Sequence, residues 1–306
     1  MYTETETKKD VSLEAPKARI ASGRLKWIKL LLRSKTGTLG LVIVLAMVGM
    51  AVFADVIAPY NPAETDVVNR LLPPFWAEGG NPEYILGTDN LGRDILSRII
   101  VGSRVSLLVG ISAVVLAGAI GLLLGLLAGF YGKWIDTVIM RTVDSFLAIP
   151  NILFMLIVLA VVGPSLMTMI FALGGTTWVV YARMVRGETL SVKERDYVRS
   201  ARAVGAKDVR IIWQYILPNI VSSFIVIATL NVATTIILES SLSFLGLGIQ
   251  PPDVSWGLML SDGREYLATS WWVATFPGIA ITITVLGIIF LGDWLRDVLD
   301  PKMKIK

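Results

Sequence analysis

The chain has 306 residues, of which 54% are hydrophobic, and its mean hydropathy is +0.68. A soluble domain of this length has too little interior to bury that much apolar surface, so the composition predicts an integral membrane protein. The net charge is +4, and there is no cysteine and no histidine. Disulfides, zinc sites and imidazole chemistry are therefore excluded, while the redox compartment is left open.

Six segments are long and apolar enough to cross hydrocarbon, which takes about 20 residues of helix. Backbone amides in lipid must find hydrogen bonds within their own segment, so the predicted fold class is all-α. The predicted spans are at about 37–58, 104–130, 145–163, 166–185, 216–238 and 272–292. The other predicted units are an N-terminal arm at 1–36, an extracytoplasmic segment at 59–103, a transmembrane domain at 104–292 with a loop at 186–215, and a tail at 293–306.

The chain begins with a polar arm. Residues 1–20 are rich in Thr, Glu and Lys and poor in apolar residues, which predicts disorder. Residues 25–32 mix apolar side chains with Lys26 and Lys29, which predicts a short interfacial helix before the first span.

The predicted extracytoplasmic segment ends in a pattern typical of an amphipathic helix. Thr88 or Asp89 could cap it. Asp94 precedes Arg98 at the favourable spacing of four residues. One apolar face would consist of Leu91, Ile95 and Ile99. Such a helix lies at the membrane interface, or it contacts an extracytoplasmic partner.

Three features of the spans indicate packing or breaks. The second span carries a small residue at every fourth position, which predicts close contact with another helix, in this chain or in a second subunit. These residues are Ala113, Ala117, Gly121, Gly125 and Gly129. Pro150 and the Gly174-Gly175 pair could each be a hinge, an unwound substrate-facing turn or an accommodation of packing.

The fifth span contains polar residues. Asn231 lies near its middle, where a polar side chain requires a protein or water-filled face. Thr234 and Thr235 follow, and Glu239 lies at the predicted outer boundary. Glu239 could cap a helix, pair with Arg98 or Arg104, or attract a substrate amine. Interhelical hydrogen bonding would also satisfy Asn231. If the chain lines a translocation path, the residues predicted to face it are Asn231, Thr234, Thr235 and Glu239.

Lys and Arg counts predict the orientation. If the six spans alternate, 23 of the 28 basic residues fall on one side and 5 on the other. The side with the excess is cytoplasmic by the positive-inside rule. Both termini and the 186–215 loop are then predicted to lie in the cytoplasm, and the basic N-terminal arm is predicted to contact anionic lipid. The excess positive charge thus requires no nucleic acid.

The loop before the fifth span has its own helical pattern. Apolar or small residues recur at Val198, Ala201, Gly205, Val209 and Ile212. Arginines fall on another face, at Arg195, Arg199 and Arg202. Gly205 stands where one short helix could end and a second begin. An ordinary interfacial helix would show the same periodicity.

The loop resembles the "EAA" loop of ABC importer permeases, which carries Glu-Ala-Ala, three residues, Gly, and then Ile-x-Leu-Pro. The matching positions are Arg199, Ser200, Ala201, Gly205 and Ile216-Leu217-Pro218. Arg199 replaces the glutamate and Ser200 the first alanine, so the role of that glutamate does not transfer. Residues 25–303 as a whole resemble the C-type permease subunit of the dipeptide, oligopeptide and nickel ABC importer family. Further motifs are Gly87-Thr-Asp-x-Leu-Gly-Arg-Asp94, Glu239-x-x-Leu-Ser-Phe-Leu-Gly-Leu-Gly248 and Gly292-Asp-Trp-Leu-Arg-Asp-x-Leu-Asp-Pro301.

The resemblance implies a type I importer permease of six spans in a bacterial or archaeal cytoplasmic membrane, with a coupling-helix loop between spans four and five. It implies a homologous B-type permease, one or two ATPase subunits and an extracytoplasmic peptide-binding protein as partners. The implied ATPase contacts are Tyr197, Val198, Arg199, Ser200, Ala201, Arg202, Val204, Gly205 and Asp208. The implied binding-protein contacts are Asp89, Arg93 and Asp94.

The sequence has no Gly-x4-Gly-Lys-Ser/Thr phosphate loop. We therefore expect a chain that is not itself an enzyme and holds no cofactor or metal, with ATP and Mg²⁺ bound by the partner subunits. The expected cargo is a dipeptide or oligopeptide. Nickel or another small solute is the alternative. A secondary transporter driven by protons or sodium belongs to a different class, and it would want a carboxylate at the membrane centre.

Overall fold

The computed structural model describes residues 30–299, so the predictions made for residues 1–20, and for all but the end of the interfacial helix, lie outside the described part. Apart from an isolated bridge between Thr88 and Asp94, the regular structure of residues 30–299 is helical. Its α-helices are α1 (Lys35–Val52), α2 (Ala54–Ile57), α3 (Ile95–Tyr131), α4 (Lys133–Ala148), α5 (Asn151–Val162), α6 (Leu166–Lys193), α7 (Asp196–Ala203), α8 (Asp208–Ile211), α9 (Leu217–Leu242), α10 (Trp256–Gly263) and α11 (Trp272–Leu299).

Four short turns of π-helix or 3₁₀-helix accompany these α-helices. Two π-helical turns extend α9 at its two ends, and two 3₁₀ turns lie in the connecting segments. The π turns are Ile212–Ile216 and Ser243–Leu247, and the 3₁₀ turns are Val67–Asn69 and Arg264–Tyr266.

Four helical stretches are long and apolar enough to cross a membrane: Lys35–Val52, Ile95–Tyr131, Asp208–Leu247 and Trp272–Leu299. A fifth is obtained if α4 and α5 are counted as one bent span. α6 is not one of these stretches, and its second half carries the charged residues Arg183, Arg186 and Glu188. The predicted count of six therefore stays a prediction.

The predicted third span, at 145–163, contains the break that the sequence indicated at Pro150. Ile149 and Pro150 separate α4 from α5, and the axes of these two helices differ by 85°. Proline restricts the residue before it to extended backbone and donates no amide hydrogen bond, which ends α4. The structure therefore has a sharp bend at Pro150.

The small-residue seam is confirmed. Ala113, Ala117, Gly121, Gly125 and Gly129 are all buried, and α6 lies against them. A Cβ on Gly121 would lie 2.4 Å from the Cβ of Tyr181, and one on Gly129 would lie 2.6 Å from the Cβ of Thr189. The partner helix is thus within this chain. Gly174, on a continuous α6, packs against α3 in the same way and is not a hinge.

The helix predicted to lie at the outer interface does not exist as a separate element. The helix cap is Asp94, whose side chain accepts a hydrogen bond from the Ser97 amide at 2.8 Å, and α3 then runs without a break into the second predicted span. Thr88 and Asp89 lie before it in an irregular, buried turn. The i,i+4 pattern had indicated a helix correctly, but the pattern gave no sign that helix and span were one.

The described helices define two ends of a bundle. α1 packs along α11, so that Gly37 lies against Trp294 and Gly40 against Leu291. The start of α1 and the end of α11 therefore lie at one end. The end of α6 is there too, because Glu188 and Leu299 line the same cavity. We call this the loop end. The turn around Asp89 and the start of α11 lie at the other, the outer end.

Candidate coupling loop and path residues

The loop at 186–215 is a well-defined turn of helices. α6 continues to Lys193, eight residues beyond the predicted end of the fourth span, and α7 follows at Asp196–Ala203. At the end of α7 the Gly205 amide donates to the Arg202 carbonyl, and the Ala206 amide donates to the Ala201 carbonyl, both at 3.0 Å. This pair of bonds is a Schellman motif. It requires φ > 0 at Gly205, where φ is +85°, and so confirms the predicted helix break.

The inner face of the loop is anchored to the ends of α3 and α6. Val198 and Ile211 are buried in one cluster with Phe130 and Val192. Lys193 Nζ donates a hydrogen bond to the Phe130 carbonyl at 2.5 Å, where a cation suits the last carbonyls of α3. The Arg202 guanidinium lies 5.4 Å from the centre of the Phe130 ring. Val198 and Arg202 thus hold α7 against the end of α3, and Lys193 joins the end of α6 to the same place.

The face of the loop that points away from the bundle is exposed. Val204 is 89% exposed, and Trp213 and Val209 are each 65% exposed. The predicted contacts on this surface are Arg199, Ser200, Arg202, Val204, Gly205 and Asp208, which are exposed, and Tyr197, which is 40% exposed. Val198 is buried and Ala201 is half-buried, so these two support the surface from below.

One part of the predicted apolar face is wrong. Val209 was grouped with Val198, but it faces outward, because the chain turns at Gly205 and α8 does not continue the axis of α7. Residues before and after Gly205 belong to different helices, so helical spacing counted across this glycine does not predict that they share a face.

Sequence reasoning missed three features of this loop. Glu194 accepts a hydrogen bond from Arg199 at 2.5 Å, and this contact holds the pKa of the Glu194 carboxyl below its usual value. The rings of Tyr197 and Tyr215 stack with centroids 6.4 Å apart. The third is the role of Phe130, whose contacts are distant in sequence and gave no signal. The first gave no signal either, because Glu194 and Arg199 are five residues apart, which is not the i,i+3 or i,i+4 spacing of a helical ion pair.

The predicted path residues differ in exposure. Thr234 is exposed and Asn231 is half-buried, so both can face a path. Thr234 Oγ1 donates to the Asn231 carbonyl at 3.0 Å. Thr235 is only 2% exposed and faces the interior of the chain. The path assignment of Asn231 and Thr234 stays a prediction, and Thr235 is turned away from any surface.

Glu239 is fully buried, which the sequence did not suggest. Its carboxylate accepts hydrogen bonds from Ser243 Oγ at 2.8 Å and Ser255 Oγ at 3.0 Å, and Ser240 Oγ lies 3.3 Å away. The suggested pairing with Arg98 or Arg104 is wrong: Arg104 pairs with Asp55 at 3.0 Å. Glu239 therefore joins α9 to the start of α10 in this conformation, and it does not line an open path.

The predicted binding-protein contacts are also largely internal. The Asp89 carboxylate accepts hydrogen bonds from the Arg98 and Arg93 guanidinium groups and from two backbone amides. Both arginines also reach Asp262 on α10, at 3.1 Å. Asp89 and Asp94 are buried and Arg93 is mostly buried, so these residues join the segment before α3 to α10. The predicted Asp94–Arg98 side-chain pair is replaced by this network.

Among the described residues, no group of three or more acidic side chains is placed to hold a metal ion. The described residues thus offer two features: an exposed helix, α7, that another protein could bind, and a largely buried network of ion pairs around Asp89.

Comparison with known proteins agrees with this architecture. Residues 121–305 match the family model of the binding-protein-dependent transport system inner membrane component. Residues 26–74 match the N-terminal transmembrane domain of oligopeptide transport permease C. The chain resembles the MetNI methionine ABC transporter in an inward-facing conformation, with a TM-score of 0.55 and 20% identity, over 66% of this chain and 96% of that one. That likeness shows the fold alone, that of a type I importer permease.

Two curated relatives are closer in sequence. The dipeptide transport system permease protein DppC of Escherichia coli strain K12 is 46% identical over 272 residues, which is 89% of this chain and 91% of that protein. The di/tripeptide transport system permease protein DppC of Pseudomonas aeruginosa strain UCBPP-PA14 is 44% identical over 265 residues, which is 87% and 88% of the two chains. The chain therefore belongs to the family of inner-membrane components of binding-protein-dependent transport systems. Within that family it is a C-type permease, as its N-terminal match indicates.

Proposed function

We propose that this chain is one of two permease subunits of an ATP-driven importer, and that the importer moves dipeptides or oligopeptides across the bacterial or archaeal cytoplasmic membrane. The dipeptide activity named for relatives at 41–46% identity supports peptide cargo. The ATP is hydrolysed, with Mg²⁺, on partner ATPase subunits. A peptide-binding protein delivers the cargo from outside.

The loop at 186–215 carries this proposal. It presents an exposed α7 with Val204 and Trp213 uncovered, and Lys193 and Arg202 fasten it to the end of α3. Trp and Arg are enriched at protein–protein interfaces, so an exposed Trp213 in a loop with exposed arginines suits a surface that another protein covers. Closure of the ATPase subunits would move such a helix, and the bundle would move with it because the inner face is packed.

A second permease completes the path. Thr234 is exposed and Asn231 is half-exposed on α9, which in a membrane is costly unless protein or water faces them. A homologous B-type permease packed against α9 would enclose a shared cavity. Alternating access is then a rocking of the two halves, with the loop bound differently to the ATPase in the two states.

Co-purification tests the assembly. The tagged chain, expressed with its neighbouring transport genes and extracted in mild detergent, is expected to bring down a second permease and ATPase subunits. The isolated chain is expected to hydrolyse no ATP. A chain that purifies alone and drives solute uptake from an ion gradient would contradict the proposal.

Thiol labelling tests the orientation, because the chain has no cysteine of its own. We expect the loop end to be cytoplasmic, since the basic residues gather there. An impermeant thiol reagent applied to intact cells should label Thr269→Cys, which is exposed near the outer end, and should spare Ser191→Cys, which is exposed in the loop. Labelling of position 191 would overturn the orientation.

A further inference from the structure

A cavity of about 690 Å³ opens at the loop end between α6, α9 and α11. Its volume falls within the range of about 300–1,000 Å³ that is usual for small-molecule sites. The cavity runs along α9 from Pro218 to Leu230, the residue before Asn231. It is therefore continuous with the part of α9 whose polar side chains face the proposed path.

The lining of this cavity is polar and carries charges of both signs. Glu188 is contributed by α6, and Ser223 Oγ donates a hydrogen bond to its Oε1 at 3.3 Å. Arg296 is contributed by α11, on a different wall, and is exposed. The polar lining residues are Glu188, Arg195, Asn219, Ser222, Ser223 and Arg296. Neither Arg195 nor Arg296 forms an ion pair with another residue of 30–299.

We propose that this cavity is the exit of the translocation path and that it receives a zwitterionic peptide by its two ends. The ammonium group faces Glu188 and the carboxylate faces Arg296, while the hydroxyls of Ser222 and Ser223 meet the peptide bond. The inference rests on the proposed function, and it names residues and a ligand class for one part of the path.

Partial exposure of these charges fits an exit. Ion pairs that remain in contact with water are weak, because solvent screens them and ordering the side chains costs entropy. A peptide is therefore oriented as it leaves and is released rather than trapped. A cargo that carries one charge sign, such as a metal cation, would meet an unfavourable charge on one of the two walls.

Substrate protection tests the assignment. Ser222→Cys is made in the otherwise cysteine-free chain, and the whole complex is assembled in inside-out vesicles. The rate at which N-ethylmaleimide modifies this chain is followed by mass spectrometry. Dialanine at millimolar concentration should slow the modification several-fold. N-acetyl-dialanine amide, which has both ends blocked and no charge, should have no effect.

Variants identify the charges. Glu188→Gln and Arg296→Gln should each abolish the protection by dialanine. The exposed Ser191→Cys, outside the cavity, should react at the same rate with and without peptide. Equal slowing by the charged and the blocked peptide would overturn the role of the two charges, and no slowing would overturn the cavity as part of the path.

ATP-driven uptake of dialanine by the complex of the unaltered chain separates this inference from the proposed function. Uptake without protection overturns the inference and leaves the proposed function standing. A complex that takes up neither dialanine nor any other peptide overturns both.

Discussion

Asp89 was predicted to contact a binding protein, but in the structure it stabilises the fold. Asp89 precedes α3 in a segment predicted to face outward, yet it is 1% exposed and lies under two arginines. A buried carboxylate needs such partners, because its transfer from water is otherwise expensive. Sequence alone did not reveal Asp262, which joins the network from 164 residues beyond Arg98.

We predict that Asp89→Ala destabilises the chain by roughly 3–5 kcal/mol, because two guanidinium groups would lose a buried partner. Glu78→Ala, an exposed change in the same segment, should have no measurable effect. The midpoint of thermal unfolding in detergent measures both. If Asp89→Ala keeps its full stability and loses only its response to the binding protein, Asp89 is a surface contact after all.

Secondary-structure elements were predictable where a pattern reports on local contacts. The small-residue seam of α3 follows from spacing, and so does the break of α7 at Gly205. The 85° bend at Pro150 was flagged as a break but could not be told from a kinked span. The fusion of the expected interfacial helix with α3 was missed because both parts share one helical period.

The close packing of α3 against α6 can be tested at Gly125. A Cβ at Gly125 would lie 2.7 Å from the Ala182 carbonyl oxygen, so Gly125→Leu forces the helices apart and costs at least about 1–3 kcal/mol. Gly175→Leu, at a position on α6 with open space, should be tolerated. The yield of monodisperse protein after detergent extraction compares them. Equal yields would show that the two helices do not pack as described.

At the scale of the whole molecule, the long helix α3 connects the charge network around Asp89 to the loop-end surface that we propose for docking. Arg98 lies near the first turn of α3, and Phe130 near its last turn, under Arg202. The family and the fold could be predicted from motif order. The burial of Glu239 could not, since it depends on Ser255, the residue before α10, and on Ser243 in the π turn after α9. The cavity beside Glu188 needed three helices to be placed together before it could be recognised.

The central claim is that the loop couples ATPase motion to transport, and Gly205 tests it most directly. Apart from the adjacent residues, no described atom lies within 4 Å of a Cβ at this exposed turn, so neither Gly205→Asn nor Gly205→Trp is blocked at the Cβ position. Asn tolerates φ > 0, whereas Trp there adds strain of about 1–2 kcal/mol and a bulky ring on the docking side.

The measurement is stimulation of ATPase activity by loaded binding protein in the reconstituted complex, at matched membrane levels of each variant. We expect Gly205→Asn to retain most of the stimulation and the peptide uptake, and Gly205→Trp to lose both. Full stimulation and uptake with Gly205→Trp would contradict the coupling role of the loop.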